Sequence, residues 1–461
     1  MVIRQPVQWI GISMEEILQS QDLRLEGSVY ASEARQIKQK IEKSKYGSRH
    51  LSDWVTTCFY PSRFKRDYRK QSEQTIGFIG SAEMLSVNPE PQKYMTHNDE
   101  VSVKYGQLLF SRSGTIGNVT FVNETLSKFL VSEHAIRIEA DEYIGYIYAF
   151  FKSSYGRLIS NSLTHGSVVS QIEPEHLLQL PIPNAPDALK TQIHEQVMDS
   201  FALRDKSNEL LQQAQDLLQK SLNLPPLDAF KYPNRQAETW PISVEDLAGR
   251  FEAGYHNPVV HRIEAHLQKH AKQVSTLADK SLVSEISLPA RFKRHYVSAE
   301  YGIPFLGGKE ILELDPRGEK YLSKKQHADL IENQLLLKEN MILITCSGTI
   351  GKTVLVPKHW QDWAASQHLL RVKPVNDDVA GYLAVWLKSP WALPLIQRHT
   401  YGSVIFEIDQ YHLSEVSVPI VDSETISQIN QLALEANALR TEAFEKEQET
   451  LAMFGSIFDK S

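Results

Sequence analysis

The sequence predicts an α+β protein made of two related α/β domains, each followed by a long helix. Three observations carry this reading. Six sequence blocks recur in one order along the chain, two stretches of more than thirty residues lack Gly and Pro, and a proline-rich segment separates the halves. A length of 461 residues allows two to four domains at ~100–200 residues each. Hydrophobic content of 42% and charged content of 23% are those of a globular chain rather than a disordered one.

The repeat comes first because it decides the architecture. RFKRDY at 63–68 returns as RFKRHY at 291–296, and IGFIGSAEML at 76–85 as IPFLGGKEIL at 303–312. SGTIG occurs at 113–117 and 347–351, and EHAIRI at 133–138 matches QHLLRV at 367–372. GYIYAFFKS at 145–153 matches GYLAVWLKS at 381–389, and HGSVVSQIEPEHL at 165–177 matches YGSVIFEIDQYHL at 401–413. The offset drifts only from 227 to 236, so one domain has been duplicated with small loop insertions.

Within each copy the elements follow from local pattern. LLFSR at 108–112, NVTFV at 118–122 and AIRIEA at 135–140 read as strands because they are short, β-branched or aromatic runs. SGTIG between two of them reads as a tight connection in which glycine supplies positive φ. Residues 145–160 read as one helix, and 28–45 and 258–272 as amphipathic helices. After each copy, apolar residues fall at steps of three and four: Leu189, Ile193, Val197, Phe201, Leu210, Ala214, Leu217 and Leu218, then Ile426, Ile429, Ala433, Ala436, Leu439, Leu451, Phe454 and Ile457. That is the stripe of a long amphipathic helix. About 35 residues span ~50 Å, so these helices should project and pair. Their polar middles, Arg204–Asn208 and Arg440–Glu447, predict a seam that is wet or partner-facing there. The expected division is 1–185 for the first domain, 186–222 for the first long helix, 223–241 for the linker, 242–421 for the second domain and 422–461 for the second long helix.

Charge narrows the function classes. The net charge is −7, and the two helical stretches carry −2 and −5 of it, leaving the rest balanced. A bulk polycation of the histone kind is excluded. Two local runs are basic: Arg63, Lys65, Arg66, Arg69 and Lys70 against Asp67 alone, and Arg291, Lys293 and Arg294 with no acid. Aromatic residues interleave with them at Phe64, Tyr68, Phe292 and Tyr296. A basic loop in a neutral domain suits phosphate contact. Two cysteines, Cys58 and Cys346, exclude a disulfide framework and a Cys-rich zinc site, and the sixteen scattered histidines give no ligand spacing, so no metal is expected. No apolar run approaches the ~18 residues of a membrane span, and the first residues lack an apolar signal core. A soluble, cytoplasmic protein is expected, without membrane contact.

SGTIG followed by a G-S-V…I…L…P block, occurring twice with a long helix behind each, resembles the specificity subunit of type I restriction–modification systems. The blocks that carry the resemblance are Ser113–Gly117 with Gly166–Pro183, and Ser347–Gly351 with Gly402–Pro419. The resemblance implies two pseudo-symmetric target-recognition domains and an antiparallel coiled coil that spaces two half-sites of a bipartite, asymmetric double-stranded DNA target. It implies docking of modification (methyltransferase) subunits, two of them, and of a restriction subunit. It also implies that S-adenosylmethionine and ATP with Mg act on those partners, with no cofactor and no catalytic residue on this chain. The candidate DNA contacts are then Arg63, Lys65, Arg66, Tyr68, Arg69, Lys70, Arg112, Ser113, Thr115 and Ser167 in the first half, and Arg291, Lys293, Arg294, Tyr296, Ser347, Thr349, Lys352 and Ser403 in the second. Leu211, Leu218, Leu439 and Leu451 are the candidate docking positions on the helices.

Competing chemistries fit less well. CSGTIGKT at 346–353 has Cys346 where a phosphate-binding loop needs its first glycine, and the first copy has Asn118 in place of Lys352. NPEP at 88–91 and LPPL at 224–227 do not supply the N-P-P-aromatic motif of an amino-methyltransferase. Two other classes fit the same architecture: a specificity module for a different methylation-based phage-defence system, and a non-catalytic scaffold binding RNA or protein.

Overall fold

The computed structural model describes residues 11–12, 14–19, 33–114, 116–163, 171–231, 239–247, 249–316 and 320–459. The chain divides into two compact units, Met1–Asp205 with Ala443–Ser461, and Lys206–Glu442. The division therefore falls inside both long helices, not at the proline-rich segment.

The described strands of the first unit are β1 (Ser48–His50), β2 (Thr57–Phe59), β3 (Ile76–Ile79), β4 (Lys93–Met95), β5 (Leu108–Ser111), β6 (Val119–Phe121), β7 (Leu130–Val131), β8 (Ala135–Glu139) and β9 (Pro181–Pro183). Among its helices are α1 (Glu33–Glu42), α2 (Ile144–Lys152), α3 (Ser154–Ser162) and the start of α4 (Asp187–Ser221). One antiparallel sheet has the order β2-β8-β5-β6, a second β4-β3-β7, and β1 pairs with β9. All four residues of β5 are buried, as the apolar run Leu108–Phe110 requires of a strand covered on both faces; the buried Ser111 hydroxyl donates to the Ser113 carbonyl. Leu109 enters the cluster of Ile79, Met84 and Val131, while the Phe110 ring lies 5.1 Å from that of Phe151.

The second unit contains α5 (Pro258–His270), β10 (Gln273–Thr276), β11 (Val283–Ser287), β12 (Tyr296–Val297), β13 (Gly302–Leu306), β14 (Tyr321–Ser323), β15 (Ile342–Thr345), β16 (Thr353–Leu355), β17 (Ala364–Ala365), β18 (Leu369–Pro374), α6 (Asp377–Lys388), β19 (Ser417–Ile420) and the start of α7 (Ser423–Asp459). Its sheets run β11-β18-β15-β16, β12-β14-β13-β17 and β10-β19. This is the first unit's topology again, with β12 added. Even the single parallel pairing recurs, β3 with β7 and β13 with β17.

The helix expected over 145–160 is two helices. Ser153 leaves the helical region at ψ 158 and accepts the Gly156 N–H as an N-cap, so its hydroxyl competes with the backbone ladder. The expected helix over 258–272 is α5, and that over 28–45 appears as α1, with 28–32 outside the described residues.

The long helices lie on the domains. In the first unit, Ile193, Val197 and Phe201 of α4 and Phe454, Ile457 and Phe458 of α7 are buried. In the second unit, Ala214 and Leu218 of α4 and Ile429 and Ala433 of α7 enter one core cluster with Leu383 and Trp386 of α6. Within the first unit the two helices run antiparallel, since Thr450 meets Gln196 and Lys446 meets Asp199, both at 3.0 Å. The polar middle of the seam is neither wet nor open there. Arg204 and Glu447 are 3% and 1% exposed and paired with each other.

Two glycines fix how closely α4 and α7 approach. The Gly145 N–H donates to His194 Nδ1 at 3.0 Å, and the Gly381 N–H donates to Asn430 Oδ1 at 2.8 Å. A Cβ on Gly145 would lie 2.7 Å from the His194 carbonyl oxygen, and one on Gly381 2.6 Å from that of Asn430. No helix among the described residues is long and apolar enough to cross a membrane.

Gly145→Ala and Gly381→Ala should each cost ~1–3 kcal/mol, because the obstacle is backbone and cannot turn aside. Gly455→Ala in α7 meets nothing within 4 Å and should stabilise by ~1 kcal/mol through helix propensity. Urea unfolding of the three variants checks both signs.

Candidate nucleic-acid interface

The two basic loops fold alike, and alternation along an extended backbone explains what each residue does. Phe64 packs edge-on against Phe78 at 6.4 Å, and Phe292 against Phe305 at 6.4 Å. Tyr68 and Tyr296 meet the same two phenyl rings at 6.0 and 6.1 Å. Arg66 and Arg294 lie over those rings at 5.2 and 5.5 Å. Arg66 then bonds both oxygens of Glu133, at 2.7 and 2.9 Å, and Arg294 bonds Gln367 Oε1 at 3.0 Å. Glu133 and Gln367 are the first residues of the matched EHAIRI and QHLLRV blocks. Burial opposes ionisation of Glu133, yet the Arg66 hydrogen bonds and charge hold its carboxyl below the usual range. The side chains at 64, 66 and 68, and at 292, 294 and 296, thus anchor the two loops. Arg63, Lys65 and Lys70 in the first loop and Arg291 and Lys293 in the second are exposed. Arg69 is exposed and paired with Asp67.

Both SGTIG turns are left-handed at both glycines: Gly114 and Gly117 have φ of 80° and 84°, Gly348 and Gly351 75° and 94°. In the first unit, Ser113 Oγ lies 2.8 Å from His134 Nδ1. Through Glu133 and His134, loop 63–70 and turn 113–117 share one support. Arg66, Tyr68, Lys93, Ser132 and His134 line a pocket of ≈ 290 Å³ beside it. Arg112 is not at the surface. It is 4% exposed, stacked on Tyr60 at 3.8 Å and bonded to Glu173 and to Gln171 Oε1, so its place is internal rather than on DNA. Thr115 and Ser167 lie outside the described residues.

In the second unit Glu407 gathers the parts. Arg291 donates to both of its carboxylate oxygens at 2.8 Å, and Ser347 Oγ donates at 3.4 Å. The Gly348 N–H donates to the Phe406 carbonyl at 3.0 Å. Loop 291–296, turn 347–351 and loop 401–406 thus form one surface. Thr349 and Ser403 are exposed on it, and Ser347 and Lys352 are half-buried. Sequence reading missed its apolar tip: Val404, Ile405 and Phe406 are 91%, 58% and 54% exposed. Its own signal was YGSVIF, three apolar residues in a loop with no helical or strand period to hide them. Glu407, opposite Gln171 in the repeat, was missed for lack of any local pattern.

Two repeated arginines are structural. Arg137 donates to the carbonyls of Val101 and Val131 at 3.2 and 2.9 Å, and Arg371 to those of Ala365 and Leu369 at 2.6 and 2.8 Å. Burial lowers both pKa values to about 10, which leaves them cationic at neutral pH. Cys58 and Cys346 are free, and burial pushes both thiols up to about 12. Among the described residues no group of three His, Cys, Asp or Glu side chains is placed to hold a metal ion. Of the docking leucines, Leu218 is fully buried in the second unit's core and is unavailable to a partner; Leu211, Leu439 and Leu451 are half-buried.

Residues 284–435 match the family model of the type I restriction modification DNA specificity domain. That segment contains the second basic loop, the second SGTIG turn and loop 401–406. The same topology recurs in the first unit, and a long helix follows each copy. Among solved structures it is similar to the type I restriction–modification S subunit from M. genitalium, at 10% identity over 91% of this chain and 96% of that one, with a TM-score of 0.37. It is also similar to the HsdS subunit from Thermoanaerobacter tengcongensis, at 14% identity over 89% and 96%, with a TM-score of 0.27. No curated protein matches the chain.

His399, 4% exposed, lies two residues before loop 401–406, with its ring 5.9 Å from that of His412. Burial, with the Arg398, His412 and Arg250 charges, lowers its pKa to about 4, against ~6.5 in an unfolded chain. The unfolded state therefore binds the extra proton, and the stability His399 contributes is complete above pH ~6.5 and lost as pH falls towards 4. Urea unfolding between pH 7 and 4 should show a loss on the order of 3 kcal/mol from this group, flattened in His399→Gln.

Proposed function

We propose that this chain is the sequence-specificity subunit of a type I restriction–modification complex. Each unit reads one half of a bipartite, asymmetric duplex, and the long helices dock two modification subunits and a restriction subunit. S-adenosylmethionine and ATP with Mg belong to those cytoplasmic partners, and this chain contributes recognition rather than a reacting group. The observation that carries the reading is the repeated surface: one topology twice, one copy matching a DNA specificity domain, with anchoring side chains alike and outward ones different. Asp67 stands against His295 and Asn118 against Lys352, so the two half-sites differ. Exposed cations position the backbone, and polar or apolar loop residues meet base edges. The apolar tip Val404–Phe406 suits thymine methyls or a base step.

Methylation mapping in cells carrying the chain and its modification subunit should give two unlike half-sites and their gap. On that duplex, Arg63→Ala with Lys65→Ala should weaken one half-site, and Arg291→Ala with Lys293→Ala the other. Removing a cation that neutralises one phosphate should lower the slope of log K against log salt by about 0.9. Unchanged affinity and slope at every salt concentration would refute the loop assignment.

A further inference from the structure

The seam between α4 and α7 in the first unit contains one fully buried charged cluster. Arg204 donates to Glu447 and, at 3.2 Å, to Ser200 Oγ; the Tyr148 hydroxyl donates to the second oxygen of Glu447. Tyr148 belongs to α2, so the carboxylate is held by both the partner helix and the domain. The Arg204 guanidinium also lies 4.7 Å from the Phe201 ring.

The repeat makes this cluster informative. The residues 236 positions from Tyr148, Phe201 and Arg204 are Ala384, Asn437 and Arg440, and the one 236 positions before Glu447 is Leu211. This correspondence is structural as well as sequential, because His194–Gly145 and Asn430–Gly381 are related by the same step. In the second unit those four residues line one small cavity of ≈ 30 Å³. Among the described residues Arg440 makes no ion pair there, and its Nε has no hydrogen-bond partner. The charged cluster therefore occurs once among the described residues, and the seam is asymmetric although its helices are repeats of each other.

We propose that Arg204, Glu447 and Tyr148 set the axial register of α7 against α4, and so select the gap between half-sites that the protein accepts. The inference rests on the DNA-reading function above. Apolar residues at steps of three and four meet equivalent partners after a slip, because hydrophobic contact is not directional. A buried ion pair has no such freedom, since a slip would leave both charges unpaired in a dry seam. A single buried polar contact is a known device for specifying register between similar helices. One helical turn is 5.4 Å, about one and a half base pairs at 3.4 Å each, so a slipped seam would read a gap one or two base pairs away.

The test uses the full chain in two ways. First, Gln196→Cys is combined with Thr450→Cys, its contact in the native register, or with Lys446→Cys, one turn away. In the otherwise unchanged chain only the 196/450 pair should cross-link. With Arg204→Met and Glu447→Leu added, the 196/446 pair should cross-link to a comparable extent. Arg204→Glu with Glu447→Arg should restore the native pattern. Secondly, affinity is measured on duplexes whose gap is the native one or differs by one or two base pairs. The Met/Leu variant should lose at least tenfold of the discrimination between gaps while binding the native gap within about threefold, and the charge-swapped variant should recover it. If the Met/Leu variant does not fold, Tyr148→Phe, which removes only a hydroxyl, should show a smaller shift of the same sign in both assays. A variant lacking the charges that cross-links only in the native register and keeps full gap discrimination overturns the proposal. Failure of the unaltered chain to bind any bipartite duplex would overturn the DNA-reading function, while the cross-linking result would still judge the register.

Discussion

The rest of the structure depends on the close approach of each long helix to a glycine on a domain helix. At Gly145 and at Gly381 the peptide N–H is satisfied by a side chain of the long helix, His194 or Asn430, and there is no room for a Cβ. The neighbouring tyrosines act in parallel. Tyr146 and Tyr382 donate to the carbonyls of Pro183 and Pro419, at 2.7 and 2.6 Å, at the ends of β9 and β19, shortly before each long helix begins. One residue pair thus clamps the start of the long helix and its flank to the same domain helix. A buried, hydrogen-bonded contact of this kind specifies geometry in a way that apolar area alone does not.

What the duplication preserves and what it varies separate by depth. The anchors recur: Phe78 and Phe305 under the basic loops, Arg137 and Arg371 tying strand ends by their carbonyls, and the left-handed glycines of SGTIG. The outward residues differ, and so does the seam, where Tyr148 and Phe201 give way to Ala384 and Asn437. Packing density punishes change inside, whereas a loop surface accepts it. The proposed reading of two different half-sites on one scaffold would need this division.

The fold was legible where a residue's duty is local. The strands of the LLF–SGTIG–NVTF hairpin and the long helices follow from period and from glycine, and their observed bounds lie close to those expected. The break at Ser153 was not legible, because GYIYAFFKSSYGRLIS keeps a helical period through a residue whose hydroxyl caps a second helix. In the candidate site, the basic runs were visible as composition, but composition does not say which way a side chain points. Arg66 and Arg294 look like Lys65 and Lys293 in sequence, yet the first two lean on phenyl rings and the second two face outwards. Leu218 and Arg112 were misplaced for the same reason. The Arg204–Glu447 pair was beyond reach, since its partners lie 243 residues apart.

The orientation of those arginines changes the expected energetics of binding. Arg66 and Arg112 are committed to Glu133 and Glu173, so few cations per unit remain for phosphate. Under the proposed DNA-reading role, counterion release from so few contacts would be modest, and recognition would lean on base edges, shape and the loop tips. Arg291 is the exception. Its side chain is 75% exposed while paired with Glu407, and an exposed ion pair is worth little. Exchanging Glu407 for a phosphate would therefore cost little at Arg291. It would also release the carboxylate at the base of loop 401–406, coupling backbone contact to the position of the apolar tip. In the first unit the corresponding residue is Gln171, which carries no charge to release, so under the proposed role the two units would meet DNA through differently balanced contacts.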